Sequence, residues 1–485
     1  MEVADHEKEQ RRRTLTRLIV LPFRLLRRHE TTDFLAISLP DAITSALASI
    51  DSLVVRSTIV ASRFSGTAEL DVRAIADQAQ VDAILTGTIL SAGEHLRVNT
   101  QLVEAPGGAV LWSHTAQVSM QDVFRLLDDL VERLIQSLAA PLTARERRDL
   151  KHDIPANAIA YELFLRANEI GVAGYDPQKM DVARDLYLRS VDADPNYAPA
   201  WVGLGRIYRL IGKYGVDDEM HNLSRADEAF EKAFNLNPEL AEAHNHYTSL
   251  QTDLGRSVEA MARLLKRAQI HRFDPNLFAG LVHSCRYCGL LDASAAAHDF
   301  ANRLDPQIRT SVVYTYFNRG EFQKTIDCCG PGDGAAKVQS LIALGYREEA
   351  VGISTEVEKH APIEWLRSLG RSTRTLLEGD RRTSLESFNL FLSLPNPFLR
   401  DPEGRFWIAR QLAELGETQR ALDFLSLCLD SNYGCHFPLL HDAALQSLRA
   451  HPRFSELLAR AAALEVQART VFRDNDGERL LEVGA

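Results

Sequence analysis

The most constraining feature of this chain is a spacing of large and small residues that two packed helices require. Numbered with Trp201 as position 4, positions 7, 8, 11, 15 and 17 are Leu204, Gly205, Tyr208, Gly212 and Tyr214. After an insertion of nine residues near 217–225, the mutual spacing of positions 20, 24, 27 and 32 is kept by Ala226, Phe230, Ala233 and Pro238. The large residues fill the contact between two helices, and the small ones let the helix axes approach. Such a pair cannot bury its apolar face alone, so it must stack against neighbouring pairs.

The turn between the two helices of a pair recurs as a glycine with a small residue five positions later. The occurrences are Gly255/Ala260, Gly320/Thr325, Gly345/Ala350, Gly379/Ser384 and Gly416/Ala421. The step from Gly345 to Gly379 is 34 residues, and the whole pattern resembles the tetratricopeptide repeat (TPR). The resemblance implies an all-α superhelix (an α-solenoid) of about eight helix pairs in residues 157–432. A step of only 25 residues from Gly320 to Gly345 predicts a shortened or broken repeat around residues 330–334.

Four Asx-Pro pairs predict where helices of the repeats end, because proline has no N–H and disfavours helical geometry in the residue before it. The prolines are Pro195, Pro238, Pro275 and Pro306. Residues 433–470 predict helices that cap the last repeat, which has no neighbour to cover its apolar face. The polar residues 471–485 predict a frayed tail.

Residues 17–148 lack the helix-pair period and predict an α/β domain. Short apolar or β-branched runs indicate strands at 18–21, 53–55, 58–60, 83–90, 96–103 and 110–118. Helical spacing occurs at 35–50, 72–79 and 123–138. Glycines in the turns 92–94 and 106–108 favour hairpins between the last three strands. The order predicts one mixed sheet with helices packed on it, preceded by a disordered terminus of residues 1–16.

Several segments of this domain resemble the TolB-like domain that precedes TPRs in many bacterial regulatory proteins. They are Ile19-Val-Leu-Pro-Phe23, Leu85-Thr-Gly-Thr-Ile89, Leu96-Arg-Val-Asn-Thr-Gln-Leu102, Gly108 with Leu111-Trp-Ser113, and Asp122-Val-Phe124. In this family the two parts often follow a nucleotide cyclase, a kinase or a winged-helix module. About sixteen residues precede the first strand here, too few for such a module. The resemblance therefore implies a regulatory half without its output domain.

Composition narrows the classes of function. A net charge of −11 argues against a general nucleic-acid binder, which carries a basic surface. No apolar run approaches the ~20 residues that span a bilayer, so no membrane insertion is expected. The six-residue run after Arg11–Arg13 is shorter than the ~7–15 apolar residues of an export signal. The sequence therefore predicts a cytoplasmic protein with reduced cysteines.

Two local motifs suggest chemistry but fit the repeat better. Cys285 and Cys288 form a C-x-x-C pair, yet the repeat places them at positions 8 and 11, which face a neighbouring helix. A structural zinc site typically needs two such pairs. Residues 330–334 are rich in glycine but lack the P-loop spacing, which indicates a loop between repeats. We assign no catalytic, cofactor or metal residues and expect no enzyme activity.

The concave face of the superhelix is the remaining candidate site. In TPR proteins the residues at positions 2, 5, 9 and 12 of each first helix face this groove. The register places Arg206, Arg209, Asn245 and Arg286 there. Guanidinium groups pair bidentately with carboxylates, so these residues predict a groove for an acidic or extended peptide. The competing interpretation is that these are ordinary solvated arginines.

Two functions lead. The first is a non-enzymatic regulatory or scaffold protein that binds a protein partner through the TPR groove. The second is a signal-transduction sensor whose amino-terminal α/β domain binds a small ligand or nucleotide and biases the repeats. An enzyme with unrecognised chemistry stays a third possibility, which would need a pocket of converging titratable groups.

Overall fold

The computed structural model describes residues 16–28, 32–48, 50, 53–56, 58–64, 71–92, 95–119, 123–138, 157–171, 177–214, 219–272, 274–306, 308–330 and 332–483. Residues 1–15 of the predicted disordered terminus, the turn residues Gly93 and Glu94, and Asp122 lie outside these described residues. In the described part, no helix combines the length and the apolar character needed to cross a membrane.

The amino-terminal domain is a mixed sheet built from two helical crossovers and a meander. Its strands are β1 (Thr16–Val20), β2 (Arg24–Leu25), β3 (Leu53–Val55), β4 (Ala83–Ala92), β5 (His95–Glu104) and β6 (Val110–Ser119). The order is β3-β1-β4-β5-β6, with β1 parallel to β3 and β4, and with β5 antiparallel to β4 and β6. The short β2 pairs with β4. The mixed sheet predicted from the sequence is confirmed.

Alternation along the strands places apolar residues on both faces of the sheet. The accompanying helices are α1 (Leu35–Ala48), α2 (Thr58–Ala61), α3 (Val72–Ala79) and α4 (Val123–Ser137). Leu18, Val20 and Leu85 share a core with α1 and α4, and this core continues into the first repeats. Ile19 and Ile84 point to the other face, where they pack with α2 and α3. The sheet domain and the repeats are therefore joined by one apolar core.

Eight helix pairs lie between residues 158 and 430 of the described chain, where the sequence predicts about eight. Their first helices are α5 (Ala158–Gly171), α7 (Ala198–Tyr214), α9 (Ala241–Asp253), α11 (Pro275–Tyr287), α13 (Val312–Asn318), α15 (Gly334–Ala343), α17 (Glu364–Glu378) and α20 (Pro402–Glu414). Their second helices are α6 (Pro177–Ala193), α8 (Glu219–Leu236), α10 (Ser257–Ala268), α12 (Leu291–Leu304), α14 (Phe322–Cys328), α16 (Arg347–His360), α18 (Arg381–Ser393) and α21 (Thr418–Asp430). A short helix, α19 (Pro397–Arg400), precedes α20.

Glycines with positive φ angles form the turn between the two helices of several pairs. All five predicted turn glycines have positive φ angles between 72° and 93°, which L side chains rarely adopt. The small residue five positions later is fully buried in each turn. Gly289 and Ser294 form a sixth turn of this kind, with a φ of 77° at the glycine, which the sequence analysis missed. Helices α13 and α14 have seven residues each, so the predicted shortened repeat is confirmed.

Two local predictions are wrong. Residues 58–60 begin the short helix α2 instead of a strand, because Val60 and Ala61 pack there against the apolar side of α3. Pro275 begins α11 instead of ending a helix. Its neighbour Asp274 accepts the N–H groups of two residues in the first turn, and proline is well tolerated at the first helical position.

The carboxy-terminal helices pack back against the middle of the superhelix. They are α22 (His436–His441), α23 (Pro452–Asp474) and α24 (Gly477–Leu481). Phe472 and Leu481 are buried in one apolar cluster with Met261 and Phe278 of the third and fourth pairs. The predicted frayed tail of residues 471–485 is therefore wrong for the described residues, because its apolar side chains have a buried site on α10 and α12.

A loop after α21 closes the superhelix. The Gly434 amide donates a hydrogen bond to the Tyr287 carbonyl oxygen at 2.7 Å. A Cβ atom on Gly434 would lie 2.4 Å from backbone atoms of both Cys288 and Gly289. Only glycine permits an approach this close, and we name it the closure contact.

We expect the substitution Gly434→Ala to destabilise the chain by about 2–4 kcal/mol, because the added methyl group forces two backbone segments apart. Chemical denaturation followed by circular dichroism measures the change. Gly334→Ala is the matched control, since a Cβ there meets nothing within 4 Å. Equal stability of the two variants would show that the closure contact is not needed for the fold.

Candidate functional site

The residues predicted to line the groove lie on three first helices, opposite a later part of the same chain. Side chains of α7 and α11 meet residues from the start of α20 and from the loop that follows α21, and Asp253 of α9 pairs with the side chains of α7. We name this set the closure network, and its members are Arg209, Lys213, Asp253, His283, Arg286, Tyr287, Asp401, Glu403 and Tyr433. The chain itself therefore occupies this part of the predicted groove.

One half of the closure network surrounds Lys213. Arg209 Nε lies 2.6 Å from Asp253 Oδ2, and Lys213 Nζ lies 3.0 Å from Asp253 Oδ1. Lys213 also binds Asp401, whose second oxygen accepts the Tyr287 hydroxyl at 2.8 Å. Burial disfavours the charged form of Lys213, yet the carboxylates of Asp253 and Asp401 raise the pKa of Lys213 above its usual value. Lys213 and Tyr287 in turn hold the pKa of Asp401 well below its usual range against the same burial.

The other half surrounds Arg286, whose side chain is only 1% exposed. Its Nε and Nη2 atoms donate to the two oxygens of Glu403 at 2.8 and 3.1 Å. Its Nη1 atom donates to the Ser311 carbonyl at 2.8 Å, while Tyr433 donates to Glu403 at 3.0 Å. The prediction that Arg286 lies in an open groove is therefore wrong. The register gives the correct face of α11, but α20 covers that face.

Arg206 lies beside the sheet domain. Burial raises the pKa of Asp41 on α1, and the charge of Arg206 partly offsets this rise. The negative charge of Glu242 also raises the pKa of Asp41. The Glu242 Oε1 atom lies 3.6 Å from His246 Nε2. Asn245 is partly buried on α9. The structure thus places Arg206 beside the sheet domain and Arg209 and Arg286 in the closure network, and it does not bring the four predicted residues together in one open groove.

The motifs assigned to packing are found in packing positions. Cys285 and Cys288 are buried, and burial raises the pKa of the Cys285 thiol to about 12. Gly203 and Gly205 lie inside α7, where a Cβ would contact the rings of Tyr187 and Phe230. Of the residues predicted as a loop between repeats, Gly330, Gly332 and Asp333 lie between α14 and α15, whereas Gly334 begins α15 and Pro331 lies outside the described residues. Within the described ranges, no group of three or more His, Cys, Asp or Glu side chains could hold a metal ion.

The acidic half of the closure network is not among the residues predicted from the sequence. Asp401 precedes Pro402, and its side chain accepts the N–H groups of Glu403 and Gly404 at the start of α20. That Asp-Pro pair was a usable signal for a helix start. No local signal pairs Glu403 with Arg286, because 117 residues separate them.

A family model matches the sheet domain. Residues 14–137 match the family described as HilA/YgeH-like transcriptional regulator, second domain. The match covers β1 to α4 and leaves the repeats outside it. This part of the chain is thus similar to a domain of transcriptional regulators, while the finer likeness to TolB-like domains stays a prediction.

Two further comparisons concern longer parts of the chain. A stretch of 192 residues is 24% identical to "Putative adenylate cyclase 3" of Rhizobium meliloti (strain 1021), over 39% of this chain and 32% of that protein. The chain therefore spans about a third of the length of this curated relative. The crystal structure of the P58(IPK) TPR domain aligns over 72% of this chain and 99% of its own, at 13% identity and a TM-score of 0.17. That superposition is too loose to support an argument, so the description of the repeats rests on their own helix pairs and turns.

The pair Arg286–Glu403 offers a test of the closure network. We expect Glu403→Gln to cost about 3–5 kcal/mol, because Arg286 then keeps a buried charge without a counter-charge. The double variant Arg286→Met/Glu403→Leu should recover most of that loss. Urea unfolding of Arg286→Met, Glu403→Leu and the double variant measures the coupling. Strictly additive losses in the double variant would contradict a direct interaction between the two residues.

A buried histidine makes stability depend on pH. His244 Nε2 lies 2.8 Å from the Pro238 carbonyl oxygen, so this nitrogen carries the proton. Its Nδ1 atom lies 2.7 Å from Nη1 of Arg263, which donates to it. Burial, with the charge of Arg267, lowers the pKa of His244 to about 3. Protonation of Nδ1 would remove the acceptor for Arg263 and place two cations together.

Because the folded-state pKa of His244 lies below that of the unfolded chain (about 6.5), the unfolded chain binds more protons in between. The stability that His244 contributes is therefore present above pH ~6.5 and is lost on acidification, by about 1.4 kcal/mol per pH unit. We expect His244→Gln to flatten the dependence of the unfolding free energy on pH between about 6.5 and 4.5. The exposed His360→Gln should leave the slope unchanged, and an unchanged slope in His244→Gln would contradict the assignment.

Proposed function

We propose that the chain is a non-enzymatic regulatory protein that binds a protein partner through the outer surface of its repeats. The observation that carries this proposal is the closed superhelix. The basic side chains of Arg209, Lys213 and Arg286 on the inner face pair with Asp253, Asp401 and Glu403 of the same chain, so they are not available to an acidic peptide. A partner must then be recognised on the outside of the helix pairs.

Several exposed apolar side chains are available for contact with such a partner. Large apolar side chains of the repeats and of the terminal helices are exposed, and they include Val182, Met220, Tyr346, Ile363, Leu390 and Val466. Isolated exposed apolar residues are common on any protein. Residues that gather on neighbouring helices are typical of interaction surfaces.

The sheet domain supports a regulatory role. Its similarity to a domain of HilA/YgeH-like transcriptional regulators supports this part of the proposal. Its core is continuous with that of the first repeats, from Leu85 through Ile43 to Phe164. On this proposal, a conformational change in the sheet domain is transmitted to the first repeats through the shared core.

The similarity to part of a putative adenylate cyclase suggests how such a segment is used. We propose that the shared stretch is a regulatory part of both proteins. On this proposal the chain itself does not form cyclic AMP. Incubation of the purified chain with ATP and divalent cations, followed by chromatography of the products, tests that statement directly.

A second candidate is the ligand sensor. It is favoured by the position of Asp41 and Arg206, where the sheet domain meets the repeats and a ligand could shift one against the other. A ligand that binds only the folded chain raises its melting temperature. Purine nucleotides and cyclic nucleotides are the first compounds to screen by thermal unfolding.

For the leading proposal, we expect a saturable complex with a protein from the native cell. The full chain is immobilised in native lysate, the retained protein is purified, and its affinity for the chain is measured by calorimetry. Cross-links should fall on the outer helices and should spare Arg206 and Asn245. A chain that binds no protein but is stabilised by a nucleotide would replace this proposal with the ligand sensor.

A further inference from the structure

The sixth and seventh helix pairs leave an open cleft. Helix α16 buries only Ala350 and Ser354. A different stripe of the same helix, with the next turn and the start of α17, lines a cleft of about 650 Å³. The lining residues are Glu349, Gly352, Ile353, Glu356, Val357, Ala361 and Leu366.

The lining residues that belong to α16 share one face of that helix. The five α16 residues follow the pattern i, i+3, i+4, i+7 and i+8, which places them on one side of the helix. Ile353 and Val357 of this stripe are apolar and only half-buried, while Glu349, Gly352 and Glu356 are exposed. Here Tyr346, three residues before the stripe, and Ile363, beyond it, are also exposed, by 54% and 42%. Exposed apolar side chains thus stand just before α16 and in the turn after it, close in sequence to the residues that line the cleft.

Gly352 forms the open floor of the cleft. A Cβ on this residue would meet nothing within 4 Å. Glycine disfavours the interior of a helix, and neither its backbone angles nor close packing requires it here. Its effect is to leave room for a large side chain from outside.

The rim of the cleft is acidic. Glu349 and Glu356 flank Gly352 along α16, and Glu348 stands next to the first of them. Among the ion pairs of the described residues, Glu356 contacts only His360, at 3.5 Å, and Glu348 and Glu349 have no cationic partner. An apolar floor with carboxylates at its edges complements an apolar side chain flanked by basic ones.

We infer that this cleft binds a basic amphipathic helix of a partner protein. A bulky apolar residue of that helix fills the space above Gly352, and its lysine or arginine side chains face Glu349 and Glu356. The mode is that of an amphipathic helix laid in a groove. The inference rests on the proposed function and adds the chemistry of the partner to it.

The test uses the full chain and a defined probe. The probe is a fluorescent peptide of about 18 leucine and lysine residues with the leucines on one helical face. Fluorescence anisotropy measures its affinity for the wild type and for Gly352→Leu, which fills the cleft. We expect binding to weaken by about tenfold or more in Gly352→Leu. Thermal unfolding should show that this variant is as stable as the wild type, because the new side chain enters open space.

Matched controls separate the cleft from general attraction to an acidic protein. Gly334→Leu makes the same substitution at another open glycine and should bind the probe like the wild type. A peptide of the same composition with the leucines scattered should bind weakly. The double variant Glu349→Gln/Glu356→Gln should bind more weakly and with less dependence on salt.

Equal affinity of the wild type and Gly352→Leu would overturn the inference. So would sedimentation that shows a wild-type dimer and a Gly352→Leu monomer, since the occupant would then be a second copy of this chain. The cellular partner distinguishes this failure from failure of the proposed function. If that partner binds Gly352→Leu at full strength, the regulatory proposal stands and its surface lies elsewhere.

Discussion

The approach of Gly434 to the backbone of Cys288 and Gly289 is the contact on which the closed superhelix depends. It fixes the loop after α21 against the end of α11. Asp401 and Glu403 are thereby held among the basic side chains of the second and fourth pairs. Closure and charge pairing support each other, because buried carboxylates are tolerable only beside cations that are equally buried. A solenoid with an open inner face would instead leave these charges in water.

The repeats could be predicted because their determinants are local. A glycine with positive φ and a small residue five positions later decide each turn within a few residues, and these residues are visible in the sequence. Most strands could be predicted in the same way, because short apolar or β-branched runs bounded by turns indicate them. The prediction fails at residues 58–60, where three β-branched or apolar residues are too short a run to distinguish a strand from a helical turn. Packing against α3 decides the outcome there.

Only the basic half of the candidate site could be predicted from the sequence. The register of the repeat predicts which face of a helix a residue occupies, and it predicts that Arg209 and Arg286 lie on the inner face. It does not state what covers that face. The carboxylate for Arg286 comes from a residue 117 positions later, after a curvature accumulated over four further helix pairs. Small irregularities in each pair alter that curvature, so the partner of Arg286 is a property of the whole superhelix.

The same reasoning explains why a cleft remains at α16. A helix of seven residues is about 10 Å long and one of fourteen residues is about 21 Å long. Helix α14 has seven residues and α16 has fourteen, so the shortened fifth pair can cover at most half the length of its successor. Helix α16 itself buries only Ala350 and Ser354. The surface that it leaves open belongs to the cleft, and on our inference a helix of a partner protein covers it.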